Sequence, residues 1–392
     1  MSEPDTIVEK LREVLDKDPR LADLLERSLV KAREWAERDL HPALFEALEW
    51  PTNIGQYEQY LKSFVRWVPH ESSGKAWQNE KRQAQEVSDR MSHFYFLVDQ
   101  GDDGEAPQDS DVFREWLTDF AVAWGDFLDS PESFSPDVLQ SYIDNAPEYR
   151  IQESLVDGKP NAPSGWLTSN QFIARELNGG LRPITEPASN LVITSPADCS
   201  YQHTYGIDAD SNIPATTVKN EKYGNIKQLI EGSQYSESFA NGTFVHYMLP
   251  VHAYHRYHLP VGGLVKESFR INGKVFMQVG IEDHELQASD SATTGYEFSQ
   301  TRGVVTIDTS QSDAGDLGVV AVIPVGMAHV SSVTLTSVAG KHMAKGEEFG
   351  YFQFGGSDII ILFQEGVDPQ IDTSEDFRLV GSPVARCKPL SG

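Results

Sequence analysis

The stretch Lys345–Phe363, KGEEFGYFQFGGSDIIILF, decides how the second half of this 392-residue chain is interpreted. Two apolar segments of strand composition, Gly350–Phe354 and Ile359–Phe363, flank a Gly-Gly-Ser step. Glycines permit a sharp backbone path and a close approach of other groups. A serine hydroxyl held against the preceding carbonyl can attack it when a base is near, although Gly-Gly-Ser is also a common connection between strands.

The sequence on either side of this stretch divides into two parts of different character. After Pro183, short β-branched segments alternate with Gly, Asn, Asp and Pro, which predicts mostly antiparallel sheets. Before about residue 145, apolar residues recur every three or four positions, which predicts helices over 5–38, 53–68, 76–98 and 111–128. We therefore predict an α+β protein with a helical N-terminal domain (1–145), a linker (146–164) and a β-rich catalytic domain (165–392).

Composition excludes several classes of protein. The chain has 59 acidic and 32 basic residues, a formal net charge of −27, which repels nucleic acid and anionic lipid surfaces. Two cysteines, Cys199 and Cys387, exclude a disulfide framework. The first residues lack the apolar core of a signal peptide, and every apolar run is too short to span a membrane. These features predict a soluble, cytoplasmic protein without stable membrane insertion.

Two further clusters carry groups capable of acid–base chemistry. Asp198 ends the segment Ser195-Pro196-Ala197-Asp198, directly after an apolar strand, where a plain turn is the simpler interpretation. Residues 252–263, HAYHRYHLPVGG, contain His255 and His258, which share a face in a helical turn but point to opposite faces in a strand. These histidines could be metal ligands or ordinary buried polar groups, but no motif supplies the remaining zinc ligands, so we expect no metal.

Together these motifs resemble the phosphatidylserine decarboxylase family of pyruvoyl-dependent decarboxylases, from about Trp166 to Phe363. The resemblance rests on SPAD, YHRYHLPVGG, VGMAHVSSV (325–333) and KGEEFGYFQFGGS; the lead-in GWLTSNQFIARELNGGLR (165–182) is similar too, without the usual arginine-rich ending. The helical segments PTNIGQYEQYLKSFVRWVP (51–69) and VSDRMSHFYFLVDQ (87–100) resemble a soluble branch of the family that includes fungal L-tryptophan decarboxylases.

The resemblance implies that the chain is a zymogen that cuts itself between Gly356 and Ser357. His258 would take the Ser357 proton, Asp198 would orient the imidazole, and Ser357 Oγ would attack the Gly356 carbonyl. The ester would then undergo β-elimination, and hydrolysis of the dehydroalanine would release ammonia and leave a pyruvoyl group, with no need for pyridoxal phosphate. Gly355 would support this step. The β chain (1–356) and the α chain (357–392) would stay associated.

The resemblance also implies the reaction. The substrate would be a free L-amino acid, aromatic such as tryptophan, decarboxylated to its amine through a Schiff base, with His255 returning the proton. Tyr254, Met327 and His329 lie within the motifs and are candidates for the substrate pocket. One alternative is a phosphatidylserine decarboxylase that makes phosphatidylethanolamine, and a second is a binding protein without enzymatic activity.

Overall fold

The computed structural model describes residues 3–78, 85–101, 105–218, 221–288, 296–327, 332–354 and 357–390. The chain forms two compact units. The first is mainly helical, and the second is mainly antiparallel sheet, which confirms the predicted α+β class. The first unit consists of residues 1–152, 162–172 and 274–291, and the second of residues 153–161, 173–273 and 292–392.

The helices broadly follow the predicted periodicity, with two differences among the described residues: the helix predicted over 76–98 begins at Glu86, and the one predicted over 5–38 is divided in two. Asp18 ends the first helix, and its carboxylate accepts a hydrogen bond from the Leu21 amide to cap the second, which Pro19 begins. No described helix is long and apolar enough to cross a membrane. The described α-helices are α1 (Glu3–Lys17), α2 (Pro19–Asp39), α3 (Pro42–Ala47), α4 (Ile54–Phe64), α5 (Glu86–Asp99), α6 (Asp111–Leu128), α7 (Pro136–Asn145), α8 (Ser169–Ile173) and α9 (Ile226–Leu229).

Aromatic side chains fill the core of the first unit. The Phe94 ring lies 4.8 Å from Phe64 and 5.2 Å from Phe120, centroid to centroid, and Trp67 stacks on Trp124 at 5.8 Å. Phe94, Phe120 and Trp124 are almost completely buried. Aromatic pairs of this kind contribute beyond the area they bury, so these residues stabilise the helices against one another.

The strands form several antiparallel sheets. Their bounds are β1 (Leu155–Val156), β2 (Lys159–Pro160), β3 (Val192–Thr194), β4 (Ser200–Gly206), β5 (Asn212–Val218), β6 (Glu221–Asn225), β7 (Thr243–Leu249), β8 (Arg256–His258), β9 (Gly263–Ile271), β10 (Val279–Glu282), β11 (Glu285–Ala288), β12 (Thr301–Asp308), β13 (Val319–Gly326), β14 (Val333–Leu335), β15 (His342–Met343), β16 (Glu348–Phe352), β17 (Ser357–Phe363), β18 (Gln370–Ile371) and β19 (Pro383–Arg386).

The hairpin of β10 and β11 belongs to the helical unit, whereas the sequence placed it in the second domain. Hydrogen bonds explain this position. The Val279 amide donates to Asp99 Oδ2 at 2.9 Å, and Gln108 Nε2 donates to the Met277 carbonyl at 2.9 Å. Such contacts between residues far apart in the chain leave no trace in local periodicity.

A seven-stranded sheet in the order β15-β9-β12-β13-β17-β7-β4 dominates the second unit. Strand β17 is near its centre, pairs with β13 and β7, and is buried along its whole length. Its residues Ile359, Ile361 and Phe363 point into the main apolar core, and the intervening residues face the other side of the sheet. The Gly-Gly-Ser step thus leads directly into the most protected strand of the unit.

Candidate active site

Ser357 is the first residue of β17 and lies opposite Gly326 of β13 and Leu249 of β7. It is completely buried, and its Oγ has no hydrogen-bond partner among the described residues. Buried hydroxyls are normally paired, because leaving one unpaired costs about 1–3 kcal/mol. Gly355 and Gly356, the other predicted cleavage-site residues, lie outside the described residues.

His258 ends β8 and is held at both ring nitrogens. Its Nδ1 lies 2.9 Å from the Gly346 carbonyl, and its Nε2 lies 3.2 Å from the Tyr254 hydroxyl. Because a carbonyl only accepts, Nδ1 carries the proton and Nε2 accepts from Tyr254. Burial lowers the pKa of His258 below its ordinary value, and the Gly346 carbonyl and the Asp198 charge oppose this only in part. The neutral imidazole therefore presents a basic Nε2.

Asp198 is buried and lies beside this segment, since the His258 amide donates to the Pro196 carbonyl at 2.7 Å. Its carboxylate does not make the predicted hydrogen bond to His258, because Gly346 and Tyr254 already satisfy both ring nitrogens. Asp198 instead accepts from Arg182 Nε at 2.9 Å, from Arg182 Nη2 at 2.6 Å and from the Val380 amide at 2.8 Å. In this structure Asp198 acts on His258 through its charge.

Arg182 is a site residue that the sequence analysis missed. Its guanidinium bridges Asp198 and Glu153, with Nη2 donating to Glu153 Oε2 at 2.7 Å, and its side chain is only 9% exposed. Arginine suits this role because its planar fork can donate two hydrogen bonds to one carboxylate. A usable signal was present: an aspartate expected to be buried needs a cation, and Arg182 ends the segment leading into the Asp198 motif.

His255 precedes β8 and points away from the partners of His258. Its Nε2 lies 2.9 Å from the Val251 carbonyl, and its buried Nδ1 has no partner among the described residues. Burial lowers the pKa of His255 to about 4, so the ring is neutral at neutral pH. An unprotonated Nδ1 in an apolar setting can accept a proton from a bound group.

The structure describes two of the three predicted pocket residues, Tyr254 and Met327. Tyr254 is mostly buried and contacts His258 through its hydroxyl. Met327 is mostly buried and follows Gly326, the β13 residue paired with Ser357, which places it next to the start of β17. His329 lies outside the described residues. Within the part of the chain that is described, no group of His, Cys, Asp and Glu is arranged to hold a metal ion.

Comparisons with known proteins show which family this chain belongs to. A family model described as phosphatidylserine decarboxylase matches residues 169–385, more than half of the chain. The chain belongs to the phosphatidylserine decarboxylase family. The match begins at α8 and ends within β19, so it includes Asp198, both histidines and Ser357.

Individual relatives are similar at moderate identity. "Phosphatidylserine decarboxylase proenzyme 2" of rice (Oryza sativa subsp. japonica) is 26% identical over 64% of this chain and 37% of its own length. A "phosphatidylserine decarboxylase proenzyme" of Chlamydia trachomatis is 29% identical over 55% of this chain and 65% of its own. "Decarboxylase iboD" of the fungus Amanita muscaria is 27% identical over 64% of this chain and 79% of its own. The chain thus spans less than two thirds of the rice and chlamydial proteins.

Proposed function

We propose that this chain is a self-processing, pyruvoyl-dependent decarboxylase that is cut between Gly356 and Ser357. The observation that carries the proposal is the buried Ser357 Oγ at the start of β17, which has no hydrogen-bond partner within the described part of a chain of this family. An inert turn would place a serine in water or pair its hydroxyl. The rice and chlamydial relatives are named proenzymes, which agrees with a precursor that is processed.

The chain's own residues supply the groups that self-cleavage needs. His258 Nε2 takes up the Ser357 proton, either through the Tyr254 hydroxyl or after this hydroxyl moves aside. Ser357 Oγ attacks the Gly356 carbonyl, and the peptide C–N bond breaks as the ester forms. Loss of the Ser357 α-proton then expels the Gly356 carboxylate, and water replaces the enamine nitrogen, which leaves as ammonia. Arg182 holds the Asp198 carboxylate in place beside the segment that carries His258.

The residues around position 357 fit a pyruvoyl group. Ser357 faces the apolar core side of the sheet between Gly326 and Leu249, where there is room for a small planar group of the size of the serine side chain. Such a group supplies a ketone carbonyl that accepts electrons when carbon dioxide leaves an attached amine substrate. His255, whose unprotonated Nδ1 can accept a proton, is our candidate for the group that returns this proton to the product carbon.

The substrate that we propose is a free L-amino acid, aromatic such as tryptophan. The net charge of −27 supports this choice, because an anionic phospholipid surface repels so acidic a protein. The resemblance of the helical unit to a soluble family branch supports it too, as does the Amanita relative, whose name specifies a decarboxylase without a lipid. Phosphatidylserine is the second candidate, favoured by the names of the rice and chlamydial relatives.

Intact-mass analysis of the purified chain tests self-cleavage first. We expect the wild type to give a large chain and a fragment of about 4 kDa with a blocked N-terminus. Ser357→Ala should stay uncut, and the control Ser310→Ala, which removes an exposed hydroxyl from the same unit, should be cut like the wild type. An uncut wild type, or a cut Ser357→Ala variant, would rule out the proposed chemistry.

Release of carbon dioxide tests the substrate. Tryptophan, tyrosine, phenylalanine and methionine are each compared with phosphatidylserine vesicles, and the uncut Ser357→Ala protein provides the blank. We expect turnover of an aromatic amino acid. Turnover on vesicles alone would overturn the amino-acid proposal and establish the lipid reaction.

A further inference from the structure

A buried charged cluster lies behind the cleavage site and has no part in the chemistry proposed above. Asp358 Oδ1 is 3.1 Å from His246 Nε2, and His246 Nδ1 is 3.7 Å from Glu297 Oε1. Each of the three side chains is at most 2% exposed. We call these residues the Asp358–His246–Glu297 cluster.

The pairing of β17 with β7 fixes where this cluster lies. Asp358 is opposite Met248, and Ile360 is opposite His246, so Asp358 and His246 are diagonal neighbours on one face of the sheet. Side chains alternate along a strand, so Ser357 points to the other face. Ser357, at the proposed cleavage site, and the ion-paired Asp358 are therefore adjacent in the chain, with side chains on opposite faces of β17.

Electrostatic attraction to His246 restrains the Asp358 side chain. Burial by itself lowers the pKa of His246, but the charges of Asp358 and Glu297 outweigh it and leave the pKa above its ordinary value. The charges of its two neighbours therefore favour the protonated form of the His246 ring. A buried ion pair adds little net stability, but separating its members leaves an uncompensated charge, which costs far more. The Asp358 side chain is therefore held in one position.

We propose that Asp358 is a positioning residue that keeps residue 357 in place after the chain is cut, an inference that rests on the proposed self-cleavage. Cleavage makes residue 357 the first residue of a new chain, and chain ends fray unless they are tied down. Among the described residues, the polar contacts of residue 357 are limited to its backbone pairing with Gly326 and Leu249. The ion pair to His246 on β7 ties the very next residue to the other chain and so holds the new end in its strand.

Asp358→Asn tests this role, because it keeps the shape and removes the charge. Asp376→Asn, an exposed carboxylate in the same chain segment, is the matched control. Amide hydrogen exchange of peptides covering 357–363 is measured in the cut proteins and again in the uncut Ser357→Ala background. We expect about tenfold faster exchange at the start of β17 in cut Asp358→Asn, and no change in its uncut form or in the control.

Steady-state kinetics give a second readout. A displacement of about 1 Å at a reacting group can lower a rate about a hundredfold. With the substrate identified by the carbon dioxide assay, we expect Asp358→Asn to lower kcat at least about tenfold and to leave KM unchanged within about twofold. A structural defect in the whole unit would raise exchange in the uncut form as well.

The outcomes separate this inference from the function on which it rests. An uncut wild type overturns both. A normally cut Asp358→Asn protein with unchanged exchange and kcat overturns the positioning role alone. If Asp358→Asn does not fold, Asp358→Val, a residue suited to a buried strand, takes its place. Failure of both variants to be cut would assign Asp358 to cleavage itself and overturn the proposal.

Discussion

Replacing Arg182 by Met should destabilise the second unit by about 3 kcal/mol. The guanidinium pairs with Asp198, whose side chain is 3% exposed, and breaking such a buried pair costs about 3–5 kcal/mol. The loss lies at the lower end of this range because the Val380 amide still donates a hydrogen bond to Asp198.

Urea unfolding of the uncut Ser357→Ala chain measures this loss. All seven tryptophans lie in the helical unit, so their fluorescence follows that unit, and amide hydrogen exchange of peptides from the seven-stranded sheet at rising urea concentration follows the second one. Arg386→Met is the control, because Arg386 pairs with Glu186 on the surface, where an ion pair contributes at most about 1 kcal/mol.

The double variant Arg182→Met/Asp198→Asn tests the cause. Removing both charges leaves no uncompensated carboxylate, and the asparagine oxygen still accepts from the Val380 amide. We expect it to recover about 2 kcal/mol of the loss. A loss from Arg182→Met no larger than that from Arg386→Met, or a double variant as unstable as the single one, would refute the argument that Arg182 is needed to keep Asp198 buried and charged.

Further predictions concern the histidines and one glycine. His258→Gln should abolish self-cleavage on gels, and because the pKa of His258 is lowered, wild-type cleavage should slow only below about pH 6.5; a midpoint above pH 7 would contradict its role as the base. His255→Gln should still be cut but lose about a hundredfold or more in kcat, and full activity would exclude it from proton transfer. Gly350→Ala should destabilise the second unit by about 3 kcal/mol or more in urea, since a Cβ would lie 2.1 Å from the Thr334 carbonyl oxygen and 2.4 Å from the Tyr257 ring; wild-type stability would mean that these strands can separate without cost.

Local sequence patterns were sufficient for the fold class and for several of its elements. The periodicity over 111–128 matches α6, and the apolar run after Ser357 matches β17, because both patterns reflect burial of neighbouring residues. The spacing of His255 and His258 left open whether they share a face. The structure answers this: His258 ends a strand, and the two rings contact different carbonyls, of Gly346 and Val251.

Contacts between distant parts of the chain could not be predicted in this way. The partner of Asp198 was expected to be His258 and is Arg182, because geometry and not residue type decides which donor reaches a carboxylate. The Asp358–His246–Glu297 cluster was also missed. Asp358 and His246 are more than a hundred positions apart, and only the register of β17 against β7 brings them together.

The composition of β17 is itself an argument for its chemical role. A strand buried on both faces in the middle of a sheet is most stable when all its residues are apolar, and five of the seven are. The other two are Ser357, whose hydroxyl has no hydrogen-bond partner among the described residues, and Asp358, whose buried carboxylate lies beside His246. Neither residue adds to the stability of the strand. Alanine or valine at these positions would avoid the cost of removing a hydroxyl and a carboxylate from water. Residues that reduce stability at one point in an otherwise apolar strand are expected where function requires them. The proposed self-cleavage at Ser357 and the proposed positioning by Asp358 would account for both.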